Sequence, residues 1–207
     1  MEDIGRSTSD PLTEIMVVLE QGIPFEVTKD TEKETMDVYM TRETLLLEFS
    51  STIVSLILAG KIGSNIASEI GSMKITEQIE ALEVMGVNSV SYLVGPKIAA
   101  ALVVNPVLYI FSVFIGIIGG ILSGLASGVV NYDDYIHGLH FSFNPYYVTY
   151  SIVKTLFFAV IFTSIPAFYG YNVQGGALEV GKASTKAVVD SSIAILLVNL
   201  ILTKILL

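Results

Sequence analysis

Few side chains in this 207-residue sequence could do chemistry, and most of them stand alone among apolar neighbours. Glu48, in Leu47-Glu48-Phe49-Ser50-Ser51, sits near one end of a long apolar stretch. A carboxylate at membrane depth costs roughly 2.5–3.5 kcal/mol on insertion scales and usually faces a cavity or a partner. Two readings stay open: Glu48 snorkels to the interface, or it serves a cavity. Lys154 is another ionisable residue set inside an apolar stretch, and its long side chain can snorkel from that depth, whereas Lys61 and Glu69 can reach the interface. His137 and His140 have a spacing that can share a metal. No carboxylate or third ligand stands in register with them, so they read as interfacial residues in a loop and no metal is expected. Gly176-Ala-Leu-Glu-Val-Gly181-Lys182-Ala183 approaches a P-loop, but the fingerprint needs Ser or Thr after the lysine to hold magnesium. There is no cysteine, which removes disulfides, thiol catalysis and thiolate metal sites. No nucleophile elbow, metal triad or carboxylate pair remains, so no catalytic residue is assigned and no cofactor is expected.

The most informative stretch is 59–86. Small residues recur every fourth position along two adjacent lines, Gly60, Ser64, Ser68, Ser72 and Ala59, Gly63, Ala67, Gly71. On a helix both lines share one face, where backbones can approach closely as membrane helix packing requires. Gly60, Gly63, Ser64 and Ala67 are therefore helix-packing residues. The surface then changes. Glu77, Glu80 and Glu83 form an acidic strip at i, i+3, i+6, opposite Ile75, Ile79 and Leu82. A second ridge, Gly116, Gly120, Gly124 and Gly128, costs helix propensity of roughly 1 kcal/mol per glycine in water, and close packing is its return. It fits packing within one protomer, or a surface against another helix of the assembly.

Composition sets the class. The chain is 52% hydrophobic and 15% charged, which is membrane composition. The net charge of −9 is concentrated at one end: residues 1–48 hold twelve acids against four bases, and the rest hold eight against seven. No basic cluster points to nucleic acid. Four apolar stretches can cross a bilayer, at about 45–66, 98–125, 147–168 and 187–207. The fold class is therefore all-α and polytopic. Residues 1–44 form an acidic segment without a clear span, whose short apolar run is Ile15–Leu19, and 45–207 form the membrane domain. Lys61, Lys74 and Lys97 flank the first connection, Lys182 and Lys186 lie in the third, and the second holds no Lys or Arg. The positive-inside rule places the first and third connections in the cytoplasm. Tyr132, Tyr135, Phe141, Phe143, Tyr146 and Tyr147 crowd the outer connection as an aromatic belt.

Glu69-Ile-Gly-Ser-Met-Lys-Ile-Thr-Glu-Gln-Ile79, followed by Ala81-Leu82 and Met85-Gly86, closely resembles the signature of the MlaE/Mce-associated permeases, and the resemblance runs from about Glu48 to the C-terminus. These are membrane subunits of bacterial ABC transporters that move phospholipids and related lipids between the inner and outer membranes. The resemblance implies a homodimeric core in the bacterial inner membrane, an ABC ATPase subunit that binds the ATP, and a periplasmic MCE-domain lipid-binding protein. It makes Glu77, Gln78, Glu80 and Glu83 the ATPase-coupling surface and puts Glu48 at the lipid cavity. The family has an Arg-Glu pair and a nearby proline there; this chain has Leu47 and Ser51 in their places. The Gly176–Thr185 run matches a family loop whose glycines allow a tight turn before the last helix. The family also usually begins with an interfacial helix and one more span, so 1–44 reads as a truncation or a replacement, and an inactive paralogue acting as a membrane scaffold is the alternative. An ion channel or secondary transporter fits poorly, because intramembrane charge is sparse and no internal repeat is present.

Overall fold

The computed structural model describes residues 36–128, 131–140 and 144–206. The expectations for Ile15–Leu19 and for the aromatics Phe141 and Phe143 lie outside the described residues. Among the described residues six helices follow one another: α1 (Met36–Ile75), α2 (Gln78–Val84), α3 (Ser89–Ser127), α4 (Tyr132–His140), α5 (Pro145–Tyr171) and α6 (Ala177–Leu206). No strand occurs among the described residues, and α1, α3, α5 and α6 are each long and apolar enough to cross a membrane. The all-α polytopic class is what the apolar stretches predict.

The helices outrun those stretches. A run of apolar residues marks only the part that meets hydrocarbon, whereas hydrogen bonding continues the helix into polar turns beyond it. The Gly176–Thr185 run is the clearest correction. The tight turn is confined to Gly175, whose φ of 112° suits glycine, and α6 begins at Ala177. Gly181 and Lys182 are thus helical, which removes what remained of a phosphate-binding loop. His137 and His140 likewise lie on α4 rather than in a loop. The start of α5 follows local rules: the Asn144 side chain accepts the Tyr146 N–H at 3.0 Å, and Pro145 occupies the first turn.

The chain divides into two units. In the smaller, Met1–Arg42 with Gly120–Phe143, Arg42 donates to the Leu139 carbonyl at 2.5 Å and lies over the Tyr39 ring. Gly120 leaves space that the Tyr135 hydroxyl occupies; a Cβ there would stand 2.5 Å from it. The larger unit, Glu43–Gly119 with Asn144–Leu207, holds the core, where α1, α5 and α6 pack around Phe158, Phe162 and Ile195. Its seam is one of the two small-residue lines. Ala59, Gly63, Ala67 and Gly71 are all buried, while Gly60, Ser64, Ser68 and Ser72 lie at its margin. A Cβ on Gly63 would meet Pro166 of α5 at 3.0 Å, and one on Gly71 would meet Val180 of α6 at 3.0 Å. From the other side, a Cβ on Gly170 would come within 2.7 Å of the Ala67 carbonyl oxygen. Ser64 and Ser184 share a hydrogen bond of 2.9 Å across the α1–α6 contact. Gly60 is not part of this seam, since a Cβ there would meet nothing within 4 Å. On α3, Gly116 lies against Leu45, and Gly124 continues the same helix.

Two parts of α1, Leu45–Ile53 and Ala59–Gly63, are wound as π-helix, a form that recurs at functional sites. The first carries Glu48.

Leucine at Gly63 should cost about 1–3 kcal/mol through overpacking, whereas leucine at Gly60 should be tolerated. Thermal unfolding of detergent-solubilised Gly63→Leu and Gly60→Leu will check this; equal melting temperatures would place the seam elsewhere.

Candidate functional site

Glu48 does not stand alone. One oxygen, Oε2, accepts from the Lys154 ammonium of α5 at 2.8 Å and from Asn199 Nδ2 of α6 at 3.0 Å. The other, Oε1, accepts from the Thr203 hydroxyl at 2.9 Å. Thr203 spends its proton on the carboxylate, so in its 2.9 Å bond with Tyr150 the phenol must be the donor. Thr52 donates to Asn199 Oδ1 at 3.2 Å and so holds the amide with its nitrogen toward Glu48. Three helices therefore meet at one carboxylate.

The pair is lopsided. Lys154 is fully buried, while the Glu48 side chain keeps 39% of its surface open. Lys154 does not snorkel, as its length alone would permit; it turns into the protein. Its ammonium also donates to the Leu47 carbonyl at 3.2 Å and lies 5.3 Å from the centre of the Tyr150 ring. Next along α1, the Leu46 carbonyl accepts from Ser151 at 2.6 Å and from Tyr109 at 3.3 Å. Both carbonyls belong to the π-wound segment, so side chains of α3 and α5 bond directly to the α1 backbone there. A cation sealed in low dielectric is tolerable only with such partners. The result is an anionic half exposed on one side and its counter-charge locked behind it.

The second candidate surface is α2. The chain turns out of α1 at Glu77, whose φ of 58° is left-handed, so this glutamate sits at the junction rather than within the helix. Ile79 is fully buried against Ile66, Ile70 and Ala167, which anchors α2 to α1 and α5. Gly86, with φ 79°, closes the helix: its N–H bonds the Glu83 carbonyl at 2.9 Å and the next N–H bonds the Leu82 carbonyl at 3.1 Å. The acidic strip then divides by role. Glu80 pairs with Lys74 at 2.5 Å, and the Lys74 hydrogen bond holds its carboxyl below the usual range. Glu83 accepts from Tyr171 at 2.7 Å and from Ser89 at 2.8 Å, and those bonds lower its carboxyl likewise. Glu77 and Gln78 remain exposed, together with the large apolar side chains Val84 and Met85.

The predicted site residues thus fall into separate places: Glu48 with α5 and α6, and Glu77, Gln78, Glu80 and Glu83 at the α1–α2 turn and on α2. Residue types alone do not single out Asn199, Thr203, Tyr150 and Thr52 around Glu48. A carboxylate and a lysine set inside apolar stretches were the available signal for their pairing. His137 and His140 join no group of metal-binding side chains among the described residues.

A family profile described as Permease MlaE matches residues 16–205. A probable ABC transporter permease protein of Rickettsia bellii is 38% identical over 77% of this chain and 62% of its own length. The intermembrane phospholipid transport system permease protein MlaE of Haemophilus influenzae is 33% identical over 85% of this chain and 68% of its own. The chloroplastic protein trigalactosyldiacylglycerol 1 of Arabidopsis thaliana is 29% identical over 76% of this chain and 45% of its own. The chain spans about 62% of the length of the first two Rickettsia relatives it matches.

Removing one charge of the pair should be asymmetric. Glu48→Leu strands a fully buried ammonium and should cost several kcal/mol, up to about 3–5. Lys154→Met leaves a carboxylate that can still be hydrated and should cost less. Melting of the two variants and of the double variant, which should recover much of the loss, tests the pairing; equal losses in both single variants would count against it.

Proposed function

The chain belongs to the MlaE permease family, and from that premise we propose that it is the membrane permease component of an ATP-driven transporter that moves phospholipid or a related lipid between membranes. The observation that carries this reading is the half-open Glu48, held by three helices through Lys154, Asn199 and Thr203. An exposed carboxylate backed by a fixed ammonium suits a zwitterionic or polar head group, while the surrounding apolar helix faces suit acyl chains. The residues here hold and orient; none is arranged to break a bond. ATP is hydrolysed on a separate ABC ATPase subunit, and this chain needs no cofactor of its own. The protein resides in the bacterial inner membrane.

The partners follow from the same premise. The ATPase docks at the α2 end, where Glu77, Gln78, Val84 and Met85 are free to meet it and Glu80 and Glu83 hold α2 in position. A second copy packs on the exposed apolar face of α6, which carries Ile193, Leu197, Leu200 and Ile201. A periplasmic MCE-domain protein receives or delivers the lipid at the Glu48 end. An inert scaffold is the weaker reading, because it has no need of a structured α2 whose outward face combines charge with bare apolar side chains.

Co-expression with the ATPase and MCE partners tests this. Met85→Asp should abolish co-purification of the ATPase, and Glu48→Gln should reduce lipid transfer in proteoliposomes while the complex still assembles. Unchanged assembly in the first and unchanged transfer in the second would sink the reading.

The α2 contacts also predict a pH effect. Folded Glu80 and Glu83 carry lowered pKa values, so their contribution to docking α2 is present above the ordinary carboxylate pKa and is lost as pH falls through the folded value. Amide exchange along α2 should rise on acidification below the usual carboxylate range, and Glu83→Gln should remove part of that dependence.

A further inference from the structure

A cavity of about 230 Å³ lies between α1, α3 and α5, at a distance in the fold from Glu48 and unused by the proposal above. Its walls are Ile62 and Ile66 of α1, Ala101 of α3 and Phe162 of α5. One end is polar: Asn65 is exposed there, and Lys97 reaches Glu69 at 2.7 Å in an ion pair while keeping a quarter of its side chain open. The other end is Asn105, which is 1% exposed. Its Nδ2 donates to the Thr155 carbonyl at 2.7 Å and to Ser55 at 3.4 Å, and its Oδ1 has no partner. Ala100 and Val104 line the cavity and are exposed, so it opens sideways on the flank of α3.

We propose that this cavity binds one acyl chain of an anionic phospholipid whose phosphate rests on Lys97 and Asn65. The volume falls short of the ~300 Å³ at which pockets begin to enclose a drug-sized molecule, so it takes part of a chain and not a whole lipid. Its length agrees: from Lys97 to Asn105, α3 rises roughly 12 Å at about 1.5 Å per residue. Asn105 ends the apolar passage, because hydrocarbon gains nothing against an unpaired amide oxygen. The Lys97 ammonium, once released from Glu69, is complementary to phosphate. A lone Lys97–Glu69 pair on the surface contributes little to stability. Exchange of Glu69 for a phosphate is therefore inexpensive, and the pair guards the mouth without sealing it. The site does not depend on transport, since it concerns a lipid held on the outer flank of the helices.

The test uses the whole chain in nanodiscs of phosphatidylethanolamine and phosphatidylglycerol, with a trace of phosphatidylglycerol carrying a diazirine on one acyl chain. After illumination, mass spectrometry should find label within 58–66 and 97–105 and around Phe162. Ala100→Phe and Val104→Trp, both at exposed lining positions, should remove most of it. Lys97→Gln should lower labelling by about fivefold, the weight of one surface lysine on anionic lipid, whereas Glu69→Gln should raise it by freeing that lysine. A merely structural ion pair would make both of the latter variants move together, and that result overturns the proposal. So does label that falls outside these segments, that persists in the filled variants, or that is replaced by cross-links to a second protein chain. Because the readout is occupancy and not lipid transfer, a failure here leaves the Glu48 reading untouched, and the reverse also holds.

Discussion

The larger unit depends on how closely the backbone of α1 can approach α5 and α6. In a membrane no hydrophobic gain drives helices together, because lipid chains are as apolar as leucine; contact has to come from dispersion and interhelical hydrogen bonds at short range. Ala59, Gly63, Ala67 and Gly71 supply that range, and Pro166, Gly170 and Val180 fill what they leave open. The neighbouring line, Gly60 to Ser72, shares the spacing without the burial, so an i, i+4 pattern of small residues marks a face but not which edge of it is the seam. Serine at the margin has its own use there: Ser64 reaches Ser184 and ties α1 to α6 by a hydrogen bond where a glycine would offer only a gap.

Once α1 is held that closely, its polar groups have to be satisfied by its neighbours, since the bilayer offers no water. The Leu46 and Leu47 carbonyls take hydrogen bonds from Ser151, Tyr109 and Lys154, and Glu48 takes them from α5 and α6. Each partner comes from a distant part of the sequence. That is why the spans and the small-residue ridge were legible in the amino-acid order while the ring of donors around Glu48 was not. Helical periodicity reports what lies one turn away; it carries nothing about Asn199 or Thr203, which are ordinary polar residues in an apolar helix until the fold brings them to a carboxylate. Lys154 was the nearest to legible, because two opposite charges in otherwise apolar spans satisfy each other more cheaply than either can alone.

Other differences share a physical source. The apolar stretches located all four spans and understated every one, because hydropathy stops at the interface and the helix does not. The acidic strip at Glu77, Glu80 and Glu83 was read as one surface from spacing, yet the left-handed turn at Glu77 separates it from the other two. A non-glycine residue with positive φ leaves no sign in a hydrophobicity pattern. The glycines that did carry conformational information, Gly86 after α2, Gly128 after α3 and Gly175 before α6, each stand at a helix boundary, where a left-handed or extended-positive φ is useful. Gly128 therefore ends the α3 glycine ridge and is not a packing position on it.

These constraints place three differently bonded regions along one helix. Toward the N-terminal side of α1, Glu48 lies in a π-wound segment whose carbonyls are shared with side chains of α3 and α5. In the middle, the buried small-residue line fixes the backbone against α5 and α6. At the far end, α2 hangs from the turn at Glu77, pinned by Ile79 and by the Glu80 and Glu83 contacts. A push on α2 would reach α1 and α5 together, since Ile79 packs against both, and the tight seam leaves those helices little freedom to slide past each other. The segment around Glu48 is joined to its neighbours by side-chain hydrogen bonds as well as by packing, on wider helical turns. Any movement passed along α1 would therefore act on the bonds that Lys154, Asn199 and Thr203 make to Glu48.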